Sequence, residues 1–75
     1  MMTNVERPLD VLGKSRGNKV IIELKSGEKV TGAMVAFDIH LNMWVREASI
    51  EKGSEKRKLG SILVRGDNIL FISPE

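Results

Sequence analysis

The sequence has no cysteine, one histidine, three aromatic residues and two prolines in 75 residues. Without cysteine there can be no disulfide and no zinc site built on thiolates. A single histidine cannot make a metal site alone, so no metal and no cofactor is expected. No run approaches the ~18 apolar residues of a membrane-spanning helix, and the first residues lack the apolar stretch of a signal peptide. The chain reads as a soluble cytoplasmic protein. Charge of one sign is also scarce: 12 Lys and Arg face 10 Asp and Glu, a net charge of +2. That excess alone does not argue for nucleic acid. A symmetric oligomer, however, would multiply it.

The length suits one domain, residues 1–75, that buries only about 60% of its unfolded surface. With disulfides and thiolate metal sites excluded, oligomerisation is the remaining common way to stabilise so thin a core. Met1 to Glu6 are polar and expected to fray. Pro8 suits the first turn of a helix over about residues 8–15, which Gly13 and Gly17 limit to two or three turns. Everything after Asn18 reads as strand, at about residues 19–24, 29–37, 43–50, 59–64 and 69–73. Val20, Ile22 and Leu24 share one face, and Val30, Met34 and Ala36 another. Ser26-Gly27 reads as a hairpin turn. Gly32, in mid-strand, marks a strong bend that would curl the sheet into a barrel. Residues 51–58 are charged and read as an exposed hairpin loop. Trp44 and Phe71 read as core residues.

The last two strands carry the continuous apolar runs Ile62-Leu63-Val64 and Ile69-Leu70-Phe71-Ile72. Both faces of such strands need cover. Either the N-terminal helix supplies it or a neighbouring chain does, and pairing edge strands in a closed ring would also remove an aggregation hazard.

No catalytic constellation is present. His40 has no serine, cysteine or second histidine at a motif spacing, and Gly66-Asp67-Asn68 is a turn rather than a phosphate loop. The chain is not expected to be an enzyme. Two turns remain. In Phe37-Asp38-Ile39-His40-Leu41-Asn42, polar residues alternate with apolar anchors. His40 offers a flat ring for stacking, and Asn42 offers a donor and an acceptor to a base edge. The same composition also makes an ordinary turn. In Arg65-Gly66-Asp67-Asn68, glycine and asparagine again suit a turn, but Arg65 ends an apolar strand, where a guanidinium can stack on a base or hold a phosphate. Asp67 could fix Arg65 or orient an amide.

Together these features resemble the Sm-like family, particularly its archaeal members. Residues 20–46 resemble the first Sm motif, with Leu24, Gly27, Gly32 and Asp38-x-His40-x-Asn42. Residues 60–72 resemble the second, with Val64-Arg65-Gly66-Asp67-Asn68. The resemblance implies a short N-terminal helix on a strongly bent, five-stranded antiparallel sheet, an open SH3-like barrel that is all-β in class. It implies a ring of identical subunits, seven in the archaeal members, in which the fourth strand of one subunit pairs with the fifth of the next. It also implies pockets for uridine-rich single-stranded RNA around a central pore, and a role in RNA processing or RNP assembly. There His40 and Arg65 would sandwich the base, Asn42 would read its edge and Asp67 would hold Asn42. Asp38 and Gly66 would support the loops. Some members have a second RNA site, to which Arg7 and Phe37 correspond. Phe37 lacks the hydroxyl of the tyrosine often found there, and Gly13 replaces a histidine. The alternatives are a protein-interaction scaffold and an RNA chaperone without strong base preference; the Arg-Gly-Asp-Asn turn is not the chaperone pattern.

Overall fold

The structure, a computed structural model, describes residues 7–75. The expected fraying of residues 1–6 lies outside them. A short helix, α1 (Pro8–Gly13), precedes five strands: β1 (Lys19–Leu24), β2 (Lys29–Phe37), β3 (Met43–Lys52), β4 (Glu55–Val64) and β5 (Ile69–Pro74). The strands form one antiparallel sheet in the order β4-β3-β2-β1-β5. Because β5 returns to β1, the sheet curls on itself, while β4 and β5 remain as its two edges.

Proline at the first position and Asp10, which accepts the Arg7 N–H at 3.3 Å, start α1. The helix has six residues rather than the eight expected. After Gly13 the backbone tightens into bonds from Ser15 N to Leu12 O (2.9 Å) and from Arg16 N to Gly13 O (3.3 Å). Gly17 then reverses the chain at a φ of +85°. Only Leu12 of α1 is buried; Leu9 and Val11 are exposed.

The core is formed by Leu12, Val20, Ile22, Val30, Met34, Met43, Val45, Ala48 and Val64. The bend falls where Gly32 lies against β3. A Cβ on Gly32 would stand 2.6 Å from Val45 Cγ1 and 2.7 Å from the Arg46 carbonyl oxygen. Opposite it, β3 and β4 shift register around Ala48, with Glu47 at a φ of +52° and Gly60 at +78°. Such bulges increase twist and bend the strand.

Four expectations are corrected. Ala36 does not join the face of Val30 and Met34, because β2 and β3 shift register between Met34 and Ala36 and leave Ala36 exposed. Trp44 is 42% exposed, since its neighbours Met43 and Val45 take the inward positions of the two-residue period. Phe71 is 51% exposed, in a groove between α1 and β5 that the helix leaves open. Residues 51–58 are not a loop. β3 and β4 continue through them, pairing Glu51 with Lys56 and Lys52 with Glu55, and only Gly53 and Ser54 turn.

Candidate nucleic-acid interface

The chain leaves β2 at Phe37 and enters β3 at Met43 through a loop organised by one carboxylate. Asp38 Oδ1 accepts the backbone N–H groups of His40 (2.9 Å) and Asn42 (3.0 Å), and Oδ2 accepts the Asn42 side-chain amide at 3.1 Å. The first of these is an Asx turn. Backbone bonds from Leu41 N to Asp38 O and from Asp38 N to Asn42 O close the loop. Leu41 takes a left-handed conformation, φ 62°, and packs on the core. That conformation costs a residue with a side chain roughly 1–2 kcal/mol, which the surrounding hydrogen bonds offset. The donors on Asp38, first the Asn42 side chain, then the Asn42 and His40 backbone, with the His40 charge adding less, hold its carboxyl below the usual range.

The second loop follows β4. Gly66–Asn68 is a single 3-10 turn, closed by Asn68 N to Arg65 O at 3.0 Å. Its Gly66 N–H donates to Asn42 Oδ1 at 2.9 Å, across 24 residues of sequence. This bond joins the two loops. A Cβ on Gly66 would collide with the His40 carbonyl oxygen, so the approach requires glycine.

Asp38, His40, Asn42 and Gly66 therefore form one connected cluster. Arg65 flanks it, exposed, with Nη2 3.5 Å from Asp67 Oδ2. Of the two roles considered for Asp67, the structure shows the pairing with Arg65. The brace on Asn42 comes instead from Asp38 and the Gly66 backbone. The sequence suggests Gly66 only as loop support; its N–H is a direct partner of the amide. The collision that a side chain there would cause is a signal that appears only once the two loops are seen together.

The amide of Asn42 can adopt only one orientation. A backbone N–H is only a donor and an ionised carboxylate only an acceptor, so Oδ1 must face Gly66 and Nδ2 must face Asp38. One Nδ2–H and one Oδ1 lone pair remain, side by side, for an outside group. His40 and Arg65 are exposed beside this edge. Among the described residues no group of histidine and acidic side chains could hold a metal ion, and no helix is long and apolar enough to cross a membrane.

Arg7 and Phe37 have different partners. Arg7 Nε lies 3.5 Å from Asp10 Oδ2. The half-buried Phe37 ring carries the Arg16 guanidinium 5.4 Å above its centroid, a cation–π distance. Gly13 adjoins the edge of that ring, with 4.0 Å between its would-be Cβ and Phe37 Cζ.

A bent five-stranded barrel with two loops converging on a fixed amide defines a small open β-barrel with one polar edge turned to solvent, and comparison with known proteins identifies the family. The LSM domain model matches residues 10–74. An snRNP Sm-like protein of Thermococcus sibiricus is 47% identical over 70 residues, covering 92% of each chain. A Pyrococcus abyssi Sm protein, solved in complex with a uridine heptamer, superposes with a TM-score of 0.88 at 41% identity, covering 93% of this chain and all of that one. The P. aerophilum SmAP1 heptamer gives the same TM-score at 30% identity, covering 96% and 97%. The chain belongs to the LSM-domain family of Sm-like proteins.

Proposed function

We propose that this protein assembles into a ring of identical subunits and binds uridine-rich single-stranded RNA at a pocket made by His40, Asn42 and Arg65. The observation that carries the reading is the locked amide of Asn42. Uracil presents an N3–H donor beside the O4 acceptor, which matches the free oxygen lone pair and N–H of that amide. In the same position cytosine presents the N3 acceptor and the N4 amino donor, so both contacts become repulsive. The amide cannot flip to accommodate cytosine without breaking its bonds to Asp38 and Gly66. The exposed His40 ring and Arg65 guanidinium supply planar surfaces for the base, each stacked base being worth about 1–3 kcal/mol. Asp67 pairs with Arg65 at 3.5 Å on the exposed side of the pocket.

The relatives solved as heptamers support a ring of seven, and the unpaired edges of β4 and β5 support closure by their pairing. Several pockets on one RNA gain affinity through effective concentration. The reading contains no catalytic step. It places the ring in the cytoplasm, acting in RNA processing or RNP assembly.

Titration of oligouridine and oligocytidine at fixed salt tests the pocket. Uridine should bind tighter, and Asn42→Ala should reduce that preference by about tenfold or more, the loss of ~1–3 kcal/mol of paired hydrogen bonding. Arg65→Ala should weaken both ligands alike. Equal affinity of the unmodified protein for the two oligomers rules out the base-reading role of Asn42.

A further inference from the structure

The cations of the β3–β4 hairpin lie in a second charged region, away from the pocket. Residues 51–58 contain Lys52, Lys56, Arg57 and Lys58 against Glu51 and Glu55, an excess of two that equals the net charge of the whole chain. The rest of the molecule is neutral in balance. All eight residues are exposed. Cross-strand register sets Lys56 beside Glu51 and Lys52 beside Glu55, which leaves Arg57 opposite Ile50 and Lys58 opposite Ser49 without a facing carboxylate. Among the described residues, no hydrogen bond or ion pair holds the side chains of Lys56, Arg57 or Lys58.

Strand lengths determine where this charge stands in the proposed ring. β4 has ten residues and β5 has six. The apolar part of β4, residues 59–64, can be covered by a neighbour's β5, and residues 55–58 are then left beyond the seam. β2 pairs with β3 as far as Glu51, which faces Lys56, so only residues 52–55 project past β2, and Lys56, Arg57 and Lys58 stand on the outer edge strand of the sheet. The hairpin lies at the opposite end of β3 and β4 from the pocket loops. From Val64 to Arg57 along the strand is up to about 23 Å at ~3.3 Å per residue.

We infer that Lys56, Arg57 and Lys58, repeated around the ring, form a second RNA contact that holds the phosphate backbone of nucleotides flanking those in the pockets, without reading bases. The inference rests on the ring and pocket reading above. Its chemistry differs from that of the pocket. The hairpin offers exposed cations with no aromatic platform or fixed amide, and such groups neutralise phosphates and release counterions. The contact therefore strengthens with RNA length and weakens steeply with salt.

The test compares the unmodified ring with a K56Q/R57Q/K58Q variant, using a short oligouridine that only fills pockets and a long one of about 20 nucleotides or more, across a range of salt. The variant should bind the long RNA about tenfold more weakly at low salt. Its plot of log affinity against log salt should be shallower by about 0.7 for each phosphate that is no longer neutralised. The short RNA should bind both proteins alike. An unchanged slope and affinity for the long RNA overturns the inference and leaves the cations as guards of an exposed strand edge, or as a surface for a protein partner. Equal losses for both lengths overturn it too, because the charge then acts on the pocket as a general field. Failure of the unmodified protein to bind the short oligouridine would instead reject the pocket itself. Native mass spectrometry confirms that the variant still assembles; where it does not, Lys58→Gln alone should give a single phosphate's share of the slope change.

Discussion

Asn42 makes two bonds to the protein and keeps two for a ligand, and the ones it makes determine what it can read. Asp38 is the residue that fixes this. Its carboxyl is held below its ordinary value of about 3.9, first by the Asn42 side-chain amide. A depressed value in the folded protein means that the stabilisation is complete above the ordinary value and is lost as pH falls through the lowered one. The brace should therefore be constant between pH 5 and 8, the region ~1 unit or more above the ordinary value. In a His40→Gln variant, which removes the neighbouring imidazole, the Asn42 side-chain amide resonances should hold their positions over that range and move only below about pH 4. A transition above about pH 5 in that variant would show that some group other than Asp38 organises the loop. Gly66 gives the complementary test. Gly66→Ala puts a methyl group into the His40 carbonyl, so the loops must separate and the bond to Asn42 Oδ1 must break. The expected cost is about 1–3 kcal/mol of stability, read as a lower melting temperature, together with loss of uridine preference. Neither the partner of Asn42 nor the need for glycine at 66 can be read from spacing: two carboxylates, Asp38 and Asp67, lie at plausible separations, and only folding decides which one meets the amide.

At the scale of strands, legibility follows the contrast between an inner and an outer face. In β1 the alternation of Val20 and Ile22 with more exposed neighbours is visible directly in the sequence, because one side meets the core and the other does not. In the outer half of the β3–β4 hairpin both faces meet water, so there is no two-residue hydrophobic period to find. The charged residues there read as loop, yet the backbone ladder continues through them and sets Glu51 opposite Lys56 and Lys52 opposite Glu55. Trp44 is hard to place for a related reason: its size suggests core, while its phase relative to Met43 and Val45 puts it outside. The bend is legible at Gly32, and the structure explains why. Gly32→Ala introduces a Cβ 2.6 Å from Val45 Cγ1 and 2.7 Å from the Arg46 carbonyl oxygen. The side-chain atom can move, but the carbonyl belongs to the bulge that makes the bend. Thermal unfolding should show a loss of about 2 kcal/mol or more. A variant as stable as the unmodified protein would show that the strand accommodates the bend without glycine.

At the scale of the whole molecule, the isolated subunit leaves too much apolar surface uncovered. Leu63 is 60% exposed on β4, Leu70 and Phe71 are 62% and 51% exposed on β5, and these strands are the two ends of the sheet. The helix does not cover them, since it contributes only Leu12 to the core. Two free edges of one antiparallel sheet, one at each end, generate a head-to-tail contact, and such a contact closes into a ring when its rotation allows. Leu63→Lys discriminates between the two states. In a separate subunit the side chain is mostly in water and the change should alter stability by no more than about 0.5 kcal/mol. In the ring it sets a charge at a seam that excludes water, where burying it without a partner costs several kcal/mol. Native mass spectrometry should therefore show the unmodified protein as a ring and the variant as monomers or small fragments, with unchanged strand content by circular dichroism. Trp44, the only tryptophan and the cross-strand partner of Leu63, reports the same event optically. Its emission should shift to longer wavelength as the seam opens, and the shift should depend on protein concentration. A variant that keeps the full ring mass would place Leu63 outside the seam and require another pairing of the edges.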